Sequence, residues 1–513
     1  MKISHRLNTL LLILLLLMLT QIMGVSTLHA MTTYYLDPDW TGTQNGTQAQ
    51  PWNGVSVHWS AINTALASGD VTVYLSARDA STDTDDVLSE NIQISNKTAN
   101  PTGTLIIVGN RFYNTSDATP NWVAYTGASK GRVTGIIAQN GSHTKYSKVT
   151  IDGVHVVQTT GDKAISVCGD NWTVKNSEVE QGSGGLAPMF LIVPTADSAH
   201  EGSSAWCPAS SNITIQNNKL HDSVGELIYV GAAGCSTVDT ALSDTNCNGK
   251  PSHSNISILD NTIYNCGSWA DQGDCIDMKA GLTNVTIRGN DISASRNSNN
   301  VRAIVTQGIQ TDGTNQNYVI ERNYIHDHPG IDDAAIALVN SWGTPNGITI
   351  RNNIIDTIVG GSAILTYDSQ SLGVKIYNNT IYNADGFCIT SQGGTYEIRN
   401  NACLSNNGGG TQTSMSGNVT STNNASSSTF GGTCTSCVAG LTASAFTNVV
   451  GGDFRLPPGS VLTDAGMTLT QFAADYVGTL RPQGSAWDVG AYEFNVNSGD
   501  KVAPAVPTGL SVN

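Results

Sequence analysis

A seven-residue motif recurs between residues 212 and 401, and it limits what this chain can fold into more than any other feature. Its copies are Asn212-Ile-Thr-Ile-Gln-Asn-Asn218, Asn255-Ile-Ser-Ile-Leu-Asp-Asn261, Asn284-Val-Thr-Ile-Arg-Gly-Asn290, Asn317-Tyr-Val-Ile-Glu-Arg-Asn323, Gly347-Ile-Thr-Ile-Arg-Asn-Asn353, Gly373-Val-Lys-Ile-Tyr-Asn-Asn379 and Thr395-Tyr-Glu-Ile-Arg-Asn-Asn401. Successive closing asparagines stand 43, 29, 33, 30, 26 and 22 residues apart. A unit of about 22 to 30 residues therefore carries insertions in its early copies.

Within each copy the apolar residues alternate, as in Ile213/Ile215, Ile256/Ile258 and Val285/Ile287, so one face of a short strand turns inward. A second apolar run follows, such as Ala335-Ile-Ala-Leu338, with no helical pattern between. This period predicts an all-β fold, a single-stranded right-handed parallel β-helix, with coils stacked ~4.8 Å apart and equivalent residues forming ladders. Asn218, Asn261, Asn290, Asn323, Asn353, Asn379 and Asn401 are expected to form one inward ladder. At such a bend asparagine tolerates left-handed backbone geometry while its amide bonds the next coil. His221-Asp222 and His326-Asp327 align with Tyr264-Asn265 and Tyr382-Asn383, which makes them turn residues rather than metal ligands.

Residues 34–110 combine a helix-like run, Ser60 to Leu66, with strands Val71–Leu75 and Leu105–Val108. They are expected to cap the solenoid's open end, because a first coil has no neighbour. Residues 1–30 have the layout of a secretory signal peptide: Lys2 and Arg6, the apolar run Leu10–Leu19, then small residues to Ala30. The expected organisation is a signal at 1–30, a β-helix over 31–494 and a linker segment over 495–513. Arg481-Pro-Gln-Gly-Ser-Ala-Trp-Asp-Val-Gly-Ala-Tyr-Glu493 resembles the closing segment of secreted bacterial β-helix proteins, in which a last strand shuts the solenoid. Ala503 to Val512 resembles the linker and first strand of a fibronectin type III module.

Without Lys2 and Arg6 the mature chain has 22 basic against 40 acidic residues, a formal charge of about -18. That balance disfavours nucleic acid, and the short apolar run argues against membrane insertion of the mature chain. A secreted monomer acting on an acidic polysaccharide is expected, and it must bring a metal ion or a local basic patch to its substrate. All ten cysteines lie between Cys168 and Cys437, and export favours disulfides. The close pairs are Cys235/Cys247, Cys266/Cys275 and Cys434/Cys437.

Inward residues of a β-helix are committed to packing, so chemistry falls to outward ladders and inserted loops. In Asp274-Cys-Ile-Asp-Met-Lys279, Ile276 and Met278 alternate with Asp277 and Lys279, which turns the latter two outward. Asp271 and Trp269 precede them on a loop. Three carboxylates beside one ammonium, in a chain only 12% charged, suit β-elimination on a uronic-acid polymer. A base removes the proton beside the sugar carboxylate, and that carboxylate's charge must be neutralised. Acidic side chains bind a hard cation such as Ca²⁺, and the cation binds the substrate.

Gly225-Glu-Leu-Ile-Tyr-Val-Gly231, Gly273-Asp-Cys-Ile-Asp-Met-Lys-Ala280 and Asn284-Val-Thr-Ile-Arg-Gly-Asn290 together resemble the core of polysaccharide lyase family six, the alginate lyase and chondroitinase B group. The resemblance spans roughly residues 225–308 and implies a β-helix, Lys279 as the base and Asp274 as a calcium ligand, with Gln272 where a second acid is expected. The family pattern places Arg followed by His-Gly in the next coil; here Thr306-Gln307-Gly308 stands there, and Arg302 is four residues out of that register. The expected set is Lys279 and Arg302 for catalysis, Glu226, Tyr229, Trp269 and Gln307 for substrate, and Asp271, Asp274 and Asp277 for Ca²⁺. The alternatives are an inert glycan-binding solenoid, or a polygalacturonase-type hydrolase using Asp332-Asp333. An enzyme should set Lys279 among carboxylates with a second basic group nearby; an inert solenoid should leave it alone.

Overall fold

The computed structural model describes residues 31–495, apart from 78–86, 115–120, 125–129, 139–143, 160–162, 182–187, 193–208, 232–252, 268–272, 280, 296–300, 308–314, 329–333, 340–343, 368–370 and 406–410. The chain winds as a right-handed parallel β-helix, and each complete coil gives one strand to each of three ladders. The first ladder runs from Thr32–Leu36 through Val71–Ser76, Leu105–Asn114, Val149–Asp152, Trp172–Lys175 and Ser211–Gln216 to Cys434–Thr435. The second includes Glu178–Gln181, Lys219–His221, Thr262–Cys266, Asp291–Ser295 and Tyr324–His328. The third includes Phe190–Ile192, Ile228–Val230, Ile276–Met278, Ile304–Gln307 and Ala334–Val339.

Register follows from the alternating apolar residues. Ile213, Ile256, Val285 and Tyr318 stand opposite one another in successive coils and are all buried. A one-residue slip would turn each inward set to the outside, so burial fixes the pairing. The solenoid begins earlier than the motif copies indicate, because Thr32–Leu36 and Val71–Ser76 already belong to the first ladder. The capping helix, Trp59–Leu66, buries Trp59, Ile62 and Leu66 over that end of the core.

The inward asparagine ladder is present and longer than expected, since Asn424 extends it to eight. Each amide donates to the next asparagine's Oδ1 at 2.9–3.0 Å. The left-handed geometry, however, belongs to the residue before it: Asn217, Asp260, Gly289, Arg322, Asn352, Asn378, Asn400 and Asn423 carry positive φ. A second, exposed asparagine column runs Asn171, Asn212, Asn255, Asn284 and Asn317, also left-handed, with amide bonds of 2.8–3.1 Å.

Asn353 shows what the inner ladder carries. Its amide donates to Ile320 O and Asn379 Oδ1, and its Oδ1 accepts from the Asn323 backbone and amide. Asn353→Ala is expected to cost about 2–4 kcal/mol, because each stranded buried polar group costs ~1–3 kcal/mol before relaxation. Asn284→Gly, in the exposed column, should stay within ~0.5 kcal/mol, as glycine accepts its φ of 54°. Urea unfolding followed by circular dichroism compares the two, and equal losses would deny the inner ladder its role.

The C-terminal segment, residues 441–495, adds no closing strand. It returns along the outside of the second ladder, where Leu441, Phe446, Phe454, Leu462, Val489 and Tyr492 pack with Ile354, Ala402 and Ala425. The amides of Asn352, Asn378, Asn400 and Asn423 each donate to its carbonyls, those of Ala474, Asp488, Met467 and Ala465, at 2.9 Å. Among the described residues no helix is long and apolar enough to cross a membrane.

Candidate active site

The third ladder assembles most of the expected residues on three neighbouring coils. Ile228, Ile276 and Ile304 pair in register, so Glu226, Asp274 and Arg302, two positions earlier, share a column. Backbone bonds from Leu227 N to Asp274 O and from Cys275 N to Arg302 O hold it. Tyr229, Asp277 and Val305 form the next column. Gly231, Lys279 and Gln307 follow Val230, Met278 and Thr306 at the strand ends.

Contacts tie the columns together. The Lys279 ammonium lies 2.5 Å from Asp277 Oδ2 and 5.0 Å from the centre of the Tyr229 ring. Arg302 donates its backbone N–H to Asp274 Oδ1 at 2.8 Å, and its guanidinium stands 3.6 Å from Oδ2. Thus Arg302, out of register with the family pattern, is in register with Asp274. Asp277 points away from the apolar core, as the alternation requires, yet it is 0% exposed. Among the described residues its Oδ1 has no hydrogen-bond partner, while Oδ2 is held by the Lys279 ammonium. Gln307 is buried as well, and among the described residues its Oε1 has no hydrogen-bond partner.

Trp269, Asp271, Gln272 and the pair Asp332-Asp333 lie outside the described residues. The ends of the loop bearing Trp269 and Asp271 are fixed beside Asp274 by the Cys266–Cys275 disulfide. Gly273, at φ 143°, passes so close to Gly267 that an added Cβ would meet Gly267 Cα at 2.2 Å. Only glycine allows this neck to form. Cys434–Cys437 is also bonded, and Cys388–Cys403 is a further pair that spacing did not single out.

Crowded carboxylates dominate the electrostatics. Burial, reinforced by the Asp277 charge, pushes Glu226 up to about 7. Asp274 is likewise pushed up to about 7 by burial and by Asp277, against the pull of Arg302. Burial presses Lys279 downward, but Asp277, Asp274 and Glu226 outweigh it and hold the amine above its ordinary value. Lys279 is therefore an ammonium as long as these carboxylates face it uncompensated.

A different group brings metal-ligating atoms together. One atom each from Glu180, His221 and Asp222 lies within 4.8 Å of the others, an arrangement able to chelate a metal ion. Alignment with Tyr264-Asn265 puts His221-Asp222 in a turn, and Asp222 does sit there at φ 62°, but the pair also contributes to this group. Glu180 was missed because its coil, Asn171-Trp-Thr-Val-Lys-Asn-Ser177, ends the motif in serine.

A family model described as right handed beta helix region matches residues 203–381. No curated protein matches the chain by sequence. Among solved structures, pectate lyase Pel9A is 15% identical over 92% of this chain and 98% of that chain, with a TM-score of 0.41. The catalytic unit of the thermostable GH87 alpha-1,3-glucanase from Streptomyces thermodiastaticus strain HF3-3 is 14% identical over 78% of this chain and 67% of that chain, at 0.44. PfbA, a surface adhesin of Streptococcus pneumoniae, is 17% identical over 71% of this chain and 89% of that chain, at 0.36. The resemblance to polysaccharide lyase family six is met at the level of the β-helix, and no residue role passes from these structures to this chain.

Proposed function

We propose that the chain is a secreted carbohydrate-active enzyme, a polysaccharide lyase that cleaves a uronic-acid polymer by β-elimination on the outer face of the third ladder. The observation that carries this reading is Lys279 set against Asp277, with Asp274 and Glu226 close enough to shift it and Arg302 on the next coil. Lys279 takes the proton from the carbon beside the uronate carboxylate. The electron pair left behind forms the new C=C bond as the β C–O bond to the leaving sugar breaks. Arg302 offers the uronate a second positive group, and Tyr229, buried beside the Lys279 ammonium, helps to hold that side chain in place.

As the residues stand, three acidic side chains face two cations, and among the described residues Asp277 Oδ1 is buried with no hydrogen-bond partner while Oδ2 meets the Lys279 ammonium. That donor set fits a hard cation. Asp274 and Asp277, with Asp271, would hold calcium, which supplies positive charge to the substrate carboxylate and relieves the hold of Asp277 on the Lys279 proton. Incubation with alginate, chondroitin, dermatan and pectate, with Ca²⁺ or with chelator, tests the reading through the ultraviolet absorbance of the unsaturated product. Absorbance should rise on at least one of them with Ca²⁺ and stop with chelator. Flat traces on all four would sink it.

One observation favours a second reading. Glu226, pushed up to about 7, is suited to donate a proton to a glycosidic oxygen while an ionised neighbour activates water, as in glycoside hydrolases. New reducing ends without new ultraviolet absorbance would select it.

A further inference from the structure

We propose that Glu180, His221 and Asp222 form a binding site for a divalent transition-metal ion of the zinc class, which joins two neighbouring coils on the outer face of the second ladder. Glu180 and His221 stand directly opposite in the parallel pairing of Glu178–Gln181 with Lys219–His221. His221 Nδ1 lies 2.6 Å from Asp222 Oδ2 and 3.9 Å from Glu180 Oε2. These separations bracket the roughly 3.3 Å between ligands that bonds of ~2.0–2.1 Å give in a tetrahedral site.

Each of the three ligands is oriented from behind by a different residue. Glu178 Oε1 lies 3.0 Å from His221 Nε2, and the ring stacks 4.7 Å from Tyr264. His155 Nε2 lies 3.2 Å from Glu180 Oε1, and the Asn265 amide donates to Asp222 Oδ1 at 3.1 Å. The atoms left facing one another are those a metal needs: Nδ1, Oε2 and Oδ2. A carboxylate behind a ligating imidazole fixes its tautomer and strengthens it as a ligand.

The chain contains its own control. His326-Asp327 repeats the His-Asp pair, with His326 Nδ1 2.9 Å from Asp327 and Nε2 2.8 Å from Asp291. Opposite His326, where His221 meets Glu180, stands Ser293. The carboxylates bonded to its ring, Asp291 and Asp327, lie on opposite nitrogens and cannot converge, and Asp356, opposite His326 on the next coil, is bonded by the Tyr324 and Thr357 hydroxyls instead, so the convergence of a third ligand separates the two places. An imidazole in the set also argues against calcium, which takes oxygen ligands. Three protein ligands leave a fourth position open, and Glu180 and Asp222 keep part of their surface toward solvent. On binding, the ion takes the Nδ1 lone pair and any proton there passes to solvent.

Titration of the tag-free, chelator-treated full chain with Co²⁺ as a spectroscopic probe, and with Zn²⁺ by calorimetry, tests the site. One ion should bind per chain here, and Ca²⁺ at the same concentration should not displace it. His221→Asn and Glu180→Gln should each weaken binding at least tenfold, and Glu178→Gln about 10- to 100-fold, while His326→Asn leaves it unchanged. Circular dichroism in chelator checks that each variant is folded; Glu180→Gln keeps the shape of its residue, and its result stands if His221→Asn fails to fold. No binding by the natural chain, undiminished binding in Glu180→Gln, or equal loss in His326→Asn would overturn the proposal.

Discussion

Lys279→Met is expected to lower turnover of the elimination reaction about 10²- to 10⁴-fold, the usual range for loss of a positioned general base. Methionine keeps the side chain as far as the ε-carbon and removes the nitrogen, so packing beside the Tyr229 ring changes little. The same substitution strands Asp277, whose carboxylate is fully buried with the Lys279 ammonium 2.5 Å away. Breaking such a pair from one side costs about 3–5 kcal/mol. Lys279→Met with Asp277→Asn separates the two effects: stability should return while activity does not. Initial rates of product absorbance and denaturant midpoints for the three proteins decide the matter. If the double variant regains activity with stability, Lys279 is a structural partner of Asp277 and the base lies elsewhere.

Arg481→Met is expected to destabilise the C-terminal segment by about 3–5 kcal/mol, because it leaves the Glu493 carboxylate buried and unpaired. Both side chains are 0% exposed, and the guanidinium lies 2.8 Å from Glu493 Oε2. It also donates to the carbonyls of Asp488 and Gly490. Glu493 in turn accepts from the backbone of Gln483 and Asp488. The segment Arg481–Glu493 is thus a knot around one ion pair. Limited proteolysis should cut residues 441–495 first in Arg481→Met, and Glu493→Gln added to it should recover part of the loss. A change below ~1 kcal/mol would mean that the segment is held by Phe454, Leu462 and Tyr492 alone.

How much of this the sequence showed depends on how many residues encode each feature. The winding was legible because Ile213/Ile215 and their equivalents repeat with an inward asparagine in every copy. The coils ending in Ser177 and Asn424 were missed, since one lacks the asparagine and the other, Asn418-Val-Thr-Ser-Thr-Asn-Asn424, lacks the second isoleucine. Left-handed geometry was placed one residue late because pairs such as Asn217-Asn218 supply the same residue type to both roles. The residues Glu226, Asp274 and Arg302 were legible one by one, and their alignment in one column follows from the Ile228, Ile276, Ile304 register of the folded coils. The burial of Asp277 was not legible, for it depends on what covers the outer face. The meeting of Glu180 with His221 was beyond reach, because 41 residues with an insertion separate them and no pattern indexes the pairing.

The bonds between the C-terminal segment and Asn352, Asn378, Asn400 and Asn423 bear on how such a chain can grow. They match donors on four consecutive coils to acceptors on one segment of fixed length. A coil duplicated before Tyr324 would lengthen the solenoid and leave that match intact. A coil duplicated between Asn352 and Asn423 would displace every later donor by one coil spacing, ~4.8 Å, beyond hydrogen-bond reach. Gene duplication and engineering should therefore find the N-terminal half open to new coils and the C-terminal half closed to them.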